Sequence, residues 1–262
     1  MQERHTNRGI YFEELSITSN KYYIPYIDQF CKIGKDVNVL EIGCGDGGNL
    51  LPFSLMGCKT VGIDIAESRI RDAKAFFANN HAEGEFIVQD IFKINEWGRT
   101  FDIILCHDVF EHIGNKKQFL MNLSIFLKPK GVVFMAFPAW QMPFGGHQQI
   151  CQNRLLSHFP FIHLLPTGLY HWLLLRGHEN GDTIKELLSI KNTKVTIESF
   201  ERQILNSPLQ IQNRQLWFIN PHYEIKFGLH PLKLCSLIAS IPFIRNFFST
   251  SCFYLLSKRE AS

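Results

Sequence analysis

Val37-Asn38-Val39-Leu40-Glu41-Ile42-Gly43-Cys44-Gly45-Asp46-Gly47-Gly48-Asn49-Leu50 sets the architecture of this 262-residue chain. Val37 to Ile42 is a short apolar run carrying one acid, and it reads as a buried strand. Gly43, Gly45 and Gly47 follow at alternate positions. Without a Cβ they let the backbone turn sharply and approach a ligand closely. A helix can begin directly after them, with its first N–H groups facing that ligand.

The chain downstream repeats the unit. Asn49 to Met56 reads as a helix ending at Gly57, and Lys59 to Asp64 as a second strand. Ser68 to Asn79 places Ile70, Ala73, Phe76 and Phe77 on one helical side. Gly84 to Val88 and Phe101 to Cys106 are the third and fourth strands. Lys116 to Leu127 is an amphipathic helix stopped by Lys128-Pro129-Lys130-Gly131, and Val132 to Phe137 is the fifth strand. Strands alternating with helices predict a parallel, doubly wound sheet, with ligands at the carboxyl ends of its strands. Glu41, Asp64, Asp90 and Asp108 all fall at or just after those ends.

Outside this half the rhythm changes. Residues 1–36 read as an N-terminal helical arm, with Ser19 or Asn20 capping a helix to Lys32. Residues 138–194 mix Pro, Gly, His and aromatic residues with short helical runs, and read as a cap inserted over the site. Residues 195–262 close the fold: a helix from Val195 to Leu205, a strand from Leu209 to Ile219, a helical region from Pro231 to Phe248, and a last strand from Ser251 to Ser257. The expected fold is one α/β domain with a Rossmann-like, doubly wound, seven-stranded sheet. It is mostly parallel with an antiparallel last strand, plus a helical cap.

The net charge of +3 is too small to imply nucleic acid as a partner. Residues 191–262 hold nine Lys/Arg and four Asp/Glu, a local net of +5. That basic third suits an anionic substrate or a membrane surface. Seven scattered cysteines without a CxxC pair suit reduced thiols in a cytoplasmic protein. The polar start Met1-Gln2-Glu3-Arg4-His5 predicts no signal peptide. Leu232 to Leu256 is interrupted by Pro242, Arg245 and Asn246 and fails as a membrane span.

A glycine turn with a downstream acid fits a nucleotide carrying a free ribose. Asp64 lies 17 residues past Gly47, where a carboxylate accepts from both ribose hydroxyls. NAD is one candidate, although its fingerprint, G-x-G-x-x-G, has a different spacing from Gly43-x-Gly45-x-Gly47.

Glu41-x-Gly43-x-Gly45-x-Gly47 resembles the signature motif of class I S-adenosylmethionine-dependent methyltransferases. Val61-Gly62-Ile63-Asp64-Ile65 resembles that family's ribose-binding strand, and Val88-Gln89-Asp90-Ile91 its adenine corner. Phe101 to Ile113, through Cys106-His107-Asp108-Val109-Phe110-Glu111-His112, is similar to its fourth-strand motif in the ubiquinone-biosynthesis-like, small-molecule branch. Leu127-Lys128-Pro129-Lys130-Gly131 resembles its leucine–proline–glycine–glycine turn, with Lys130 replacing a glycine. The resemblance implies S-adenosylmethionine as cofactor. Gly43, Cys44, Gly45 and Gly47 then lie beneath its methionine part, and Glu41 orients the turn or meets the ammonium. Asp64 holds the ribose, Ile65 and Ile91 flank the adenine, Asp90 accepts from its amino group, and His107 meets the methionine side through its backbone.

Methyl transfer to a hydroxyl needs a positioned base, and a His near neutrality is suited to it. His147, in Pro143-Phe144-Gly145-Gly146-His147-Gln148-Gln149, follows the fifth strand on the ligand side and is the candidate catalytic residue. Asp108-x-x-Glu111-His112 resembles the glutamate-x-x-glutamate-histidine set that holds a divalent metal in ubiquinone-pathway enzymes, with Asp108 in place of the first glutamate. Other relatives use the Glu-His pair for packing, and no metal is assigned. The expected function is methyl transfer, to oxygen, of a small or amphipathic acceptor: a glycan, a lipid-linked or a quinone-like molecule. The basic, Phe-rich C-terminal region allows peripheral membrane contact. An NAD-dependent oxidoreductase and a non-catalytic S-adenosylmethionine-binding protein remain the alternatives.

Overall fold

The computed structural model describes residues 7–94 and 97–259; the first six residues of the expected N-terminal arm lie outside them. Helix α1 (Arg8–Thr18) passes through one π-helical turn (Ser19–Tyr23) into α2 (Ile24–Ile27). Ser19 and Asn20 therefore lie inside a helix and do not cap one. Asn7 is the cap, accepting from Ile10 N. Pro25 comes just after the π turn, at the point where the regular hydrogen-bond ladder of the helix is already interrupted.

Next come β1 (Asn38–Ile42), α3 (Leu51–Leu55), β2 (Lys59–Asp64), α4 (Glu67–Asn79), β3 (Glu85–Val88), β4 (Phe101–His107), α5 (Lys116–Phe126) and β5 (Leu127–Phe137). The cap holds α6 (Arg154–His158), α7 (Thr167–Arg176) and α8 (Gly181–Thr193). The closing part is α9 (Ile197–Leu205), β6 (Leu209–Ile219), α10 (His222–Phe227), β7 (Leu232–Lys233), α11 (Ser236–Ala239), α12 (Ile244–Phe248) and β8 (Ser251–Lys258).

The strands form one sheet in the order β3-β2-β1-β4-β5-β8-β6-β7. The first five are parallel, and β8 runs antiparallel between β5 and β6. The sheet has eight strands where seven were expected. The extra one is the two-residue edge strand β7, paired with Trp217 and Ile219 of β6. Two residues leave no alternation to read. The same segment corrects the helix expected over Pro231 to Phe248. Pro231 and Pro242 interrupt it, leaving β7 and two short helices. The expected stop at Lys128 to Gly131 is also drawn into the sheet: Leu127 pairs with Phe101 before the register shifts to Val132 opposite Ile103.

Both faces of the sheet are covered, so its central strands are apolar throughout. Alternation still decides which side each residue serves. Val133, Met135 and Phe137 pack with α5 and α9, whereas Val132, Phe134 and Ala136 face the layer that includes Tyr23, Tyr26 and Phe53. Phe134 joins the N-terminal helices to the closing strands. Its ring centroid lies 4.9 Å from Tyr23, 6.0 Å from Tyr26 and 5.2 Å from Phe253. The cap has a smaller core of its own, with Tyr170, Leu174 and Leu187 fully buried. All seven cysteines are free thiols, and no helix among the described residues is long and apolar enough to cross a membrane.

Phe134→Ala removes a ring with no exposed surface and is expected to cost about 3–5 kcal/mol of stability. Ile125→Ala, at a side chain 57% exposed on α5, is expected to stay within about 0.5 kcal/mol of wild type. Urea unfolding of the two variants checks the contrast.

Candidate active site

The glycine turn joins the end of β1 to a 3₁₀ turn at Gly48–Leu50. Gly43, Gly45 and Gly47 all adopt positive φ, at 68°, 51° and 84°. The turn is also packed tightly. A Cβ on Gly43 would stand 2.4 Å from Val109 Cγ2, and one on Gly48 would stand 2.6 Å from the backbone oxygen of Phe12. Helix α1 thus lies directly on the turn, and Ser19 Oγ donates to Asn49 O (2.8 Å). Arg8 of α1 pairs with the buried Asp46 of the turn, and Arg69 Nη1 of α4 reaches both Asp46 oxygens at 3.2 Å.

Two cavities open at the carboxyl ends of the strands. The first, of about 490 Å³, is lined by Gly43, Asp64, Ile65, Asp90 and Ile91, together with Ile42, Val109 and Ile113. It has three acids, Asp64, Asp90 and Asp108, with apolar walls between them. Asp64 Oδ2 accepts from Gly45 N (3.0 Å) and Oδ1 from Ala66 N (2.8 Å). Asp90 Oδ1 accepts from Phe92 N (2.9 Å). Asp64 and Asp90 thus each bind a nearby backbone N–H, the role a purely structural acid after a strand would have, and both also face the cavity.

The second cavity, of about 420 Å³, is lined by His107, His147, Met142 and Phe144, and by Arg8, Tyr11, Arg69 and Tyr223 from distant parts of the chain. Asp108 and His112 line both cavities. They mark the place where the two spaces meet.

Among the residues singled out in the sequence, Glu41, Cys44, Gly45 and Gly47 line neither cavity. Glu41 is buried beneath the turn, where Oε1 accepts from Asn49 Nδ2 (2.7 Å) and Oε2 has no partner among the described residues. This geometry suits the orienting role and not contact with an ammonium in the second cavity. Arg8, Tyr11 and Tyr223 were not anticipated. They reach the site from α1 and α10, and no local spacing signals such a long-range approach.

His147 sits where the chain has been forced into a tight loop. A Cβ on the preceding Gly146 would lie 2.2 Å from His163 Cβ. His147 itself has φ +57°, and Asp108 has φ +52°. Non-glycine residues held there are strained, and such strain concentrates at working sites. His147 Nε2 lies 3.8 Å from Glu111 Oε1, and its ring centroid is 5.3 Å from that of His112. Donor atoms of Glu111, His112 and His147 all lie within 4.8 Å of one another. No metal was expected here. The geometry brings His147, from a separate loop, to the Glu-His pair, and Asp108 stands outside this trio.

Burial sets the protonation of the trio. Desolvation pushes Glu111 well above the usual carboxylate range, with the charge of Asp108 adding to the effect. Desolvation lowers His147 to about 4, with His112 contributing. His147 is therefore neutral at pH 7, with a ring nitrogen free to take a proton. Neither carboxyl oxygen of Glu111 has a hydrogen-bond partner among the described residues, and a cation bound beside them would favour the charged carboxylate. The cap is fastened over this point: Thr193 Oγ1 donates to Glu111 O (2.5 Å), and Lys116 Nζ donates to Thr193 O (2.5 Å).

Glu41 provides a test of the buried turn. Desolvation raises its pKa to about 8, against the hydrogen bond from Asn49. Between its ordinary value and 8 the folded chain binds more protons at Glu41 than the unfolded one, so stability falls as pH rises through that window. Glu41→Gln keeps an acceptor for Asn49 and removes the charge. Its stability relative to wild type is expected to grow from about pH 5 to about pH 8, as read by urea unfolding at each pH.

A family model described as a methyltransferase domain matches residues 33–201. The ubiquinone biosynthesis O-methyltransferase of Bartonella tribocorum is 31% identical over 120 residues, covering 44% of this chain and 49% of that protein. The enzyme of the same name from Rickettsia akari is 29% identical over 100 residues, covering 38% and 39%. The match thus spans less than half the length of these curated relatives. Among solved structures, the plantazolicin methyltransferase BpumL, in complex with a pentazolic desmethylPZN analog and SAH, aligns over 98% of this chain and 89% of its own. Its TM-score is 0.60 at 17% identity. An S-adenosylmethionine-dependent methyltransferase from Clostridium acetobutylicum aligns over 93% of this chain and 92% of its own, with a TM-score of 0.57 at 15% identity. These two likenesses are likenesses of fold. The chain belongs to the methyltransferase-domain family, with the class I S-adenosylmethionine-dependent fold and the ubiquinone-biosynthesis-like form of its motifs.

Proposed function

We propose that the protein transfers a methyl group from S-adenosylmethionine to an oxygen of a small or amphipathic acceptor, quinone-like or lipid-linked. The observation that carries this reading is the meeting of the two cavities at Asp108 and His112, with His147 beside the junction. The first cavity suits the adenosine. Its acids Asp64 and Asp90 offer acceptors for the ribose hydroxyls and the adenine amino group, and Ile65 and Ile91 offer apolar walls for the ring. Arg8 and Arg69, beyond the turn, offer N–H groups to the methionine carboxylate.

When bound, S-adenosylmethionine supplies an electrophilic methyl carbon that the acceptor oxygen attacks in line as the C–S bond breaks. The chain's part is to position the two reactants and to receive the acceptor's proton. His147, neutral at pH 7, takes that proton at a ring nitrogen, with Glu111 Oε1 3.8 Å from its Nε2. The aromatic and apolar residues of the second cavity, Phe144 and Met142 among them, favour an acceptor with a flat or apolar body.

The Glu111, His112 and His147 trio supports a second reading of the same site. Two imidazoles and one carboxylate form a ligand set suited to a divalent transition metal. A cation held there would lower the acceptor hydroxyl's pKa and take over the work assigned to His147 as base.

Asp64→Ala is expected to weaken S-adenosylmethionine binding by about 1.5–3 kcal/mol, measured by equilibrium dialysis of labelled cofactor. An unchanged affinity would reject the ribose assignment. His147→Ala is expected to slow methyl transfer by about 10²–10⁴-fold, read from labelled methyl entering fractionated lipid and metabolite pools. Chelator treatment of the wild type separates the two readings. Retained activity supports His147 as the base, and loss restored by added divalent metal supports the cation.

A further inference from the structure

Two segments of the chain carry large apolar side chains on the surface and no acid. Between Glu111 and Glu179 the sequence contains no Asp or Glu, and none occurs between Glu224 and Glu260. In the cap, Leu155 is 80% exposed and Phe159 63%. In the closing part, Leu237 is 73% exposed and Phe243 64%. The segments touch: the ring centroids of Phe161 and Phe247, both exposed, lie 6.4 Å apart. Exposed apolar surface of this kind on a folded chain marks an interaction site.

The charges on these segments select the occupant. Arg154 and Arg176 in the cap and Lys233 in the closing part are exposed, and no carboxylate from either segment offsets them. The acids packed against the closing segment are already paired: Glu198 accepts from Phe243 N and pairs with Arg245, and Glu201 pairs with Arg245 and Arg214. An anionic bilayer offers what this surface needs, acyl chains for the phenylalanines and phosphates for the cations. The second cavity is tied to this surface: Phe161 N donates to Pro143 O (2.8 Å), and the adjoining Phe144 lines the cavity. Its lining includes Ile150, just before the cap's apolar run, and Thr250, just after Phe247 and Phe248.

We infer that the surface around Phe161 and Phe247 docks the protein on an anionic lipid bilayer, with the acceptor cavity opening beside it. An amphipathic acceptor would then pass from the membrane to His147 without crossing water. That last step rests on the methyl-transfer reading above; the docking does not.

The test uses the full chain and flotation with vesicles, with no methyl transfer involved. Wild type is expected to float with vesicles of phosphatidylcholine and phosphatidylglycerol, and less with phosphatidylcholine alone. Phe243→Ser with Phe247→Ser should weaken binding to both by roughly 10-fold or more. Lys233→Glu should weaken it only where phosphatidylglycerol is present. Circular dichroism melting controls for folding of the variants. Brominated lipid, which requires no change in the apolar face, should quench tryptophan fluorescence of the wild type, and less so in Trp172→Phe, whose ring is 53% exposed on the cap. Absence of flotation and quenching with either vesicle overturns the inference. So does a dimer in sedimentation velocity that the phenylalanine substitutions disperse, since the face would then be occupied by a second copy.

Discussion

The close packing of the glycine turn at the end of β1 is the constraint on which the rest of this structure depends. Val109 closes on Gly43 from one side, and the backbone of Phe12 closes on Gly48 from another. A methyl group at either point would push apart elements that must touch. Val109 follows β4, and Phe12 lies in α1. One turn therefore sets the position of the neighbouring strand's exit and of the N-terminal helix. Because β1 lies centrally, between β2 and β4, all of the polar chemistry gathers at one end of the sheet.

Burial at that end produces two carboxyls with unlike roles. Glu41 lies under the turn, bonded to Asn49 and closed off from both cavities. Its charge is disfavoured. Glu111 is equally buried, but its oxygens face two imidazoles instead of an amide. Burial there disfavours charge on the carboxyl and on both imidazoles alike. The same desolvation thus acts on a carboxyl held by an amide at one position and on a carboxyl facing imidazoles at the other. Positive φ at Asp108 and His147 adds strain at the junction, stored where the fold holds both cavities against each other.

Much of the sheet was legible because its information is local. Alternating strands and helices, each ending near an acid, gave the parallel half and the positions of Asp64 and Asp90 beside one cavity. Leu209 to Ile219 was recovered as β6 with the same bounds. The misses share one physical origin. Whether Leu232-Lys233 pairs with β6, whether Ser19 continues a helix across a π turn, and whether Arg8 reaches Asp46 are all settled by contacts between distant residues. His147 stood out by its glycine hinge, but its partner Glu111 lay 36 positions away, in a motif read separately. Their convergence belongs to the fold and not to either motif.

We propose that the turn, the acid that ends β2 and the acid that follows β3 select a sulfonium nucleoside over a dinucleotide. Isothermal titration of the full chain with S-adenosylmethionine and, separately, with NAD addresses it without knowledge of the acceptor. The account predicts saturable binding of S-adenosylmethionine and none of NAD at matched concentrations. Tight binding of NAD with no heat from S-adenosylmethionine would contradict it.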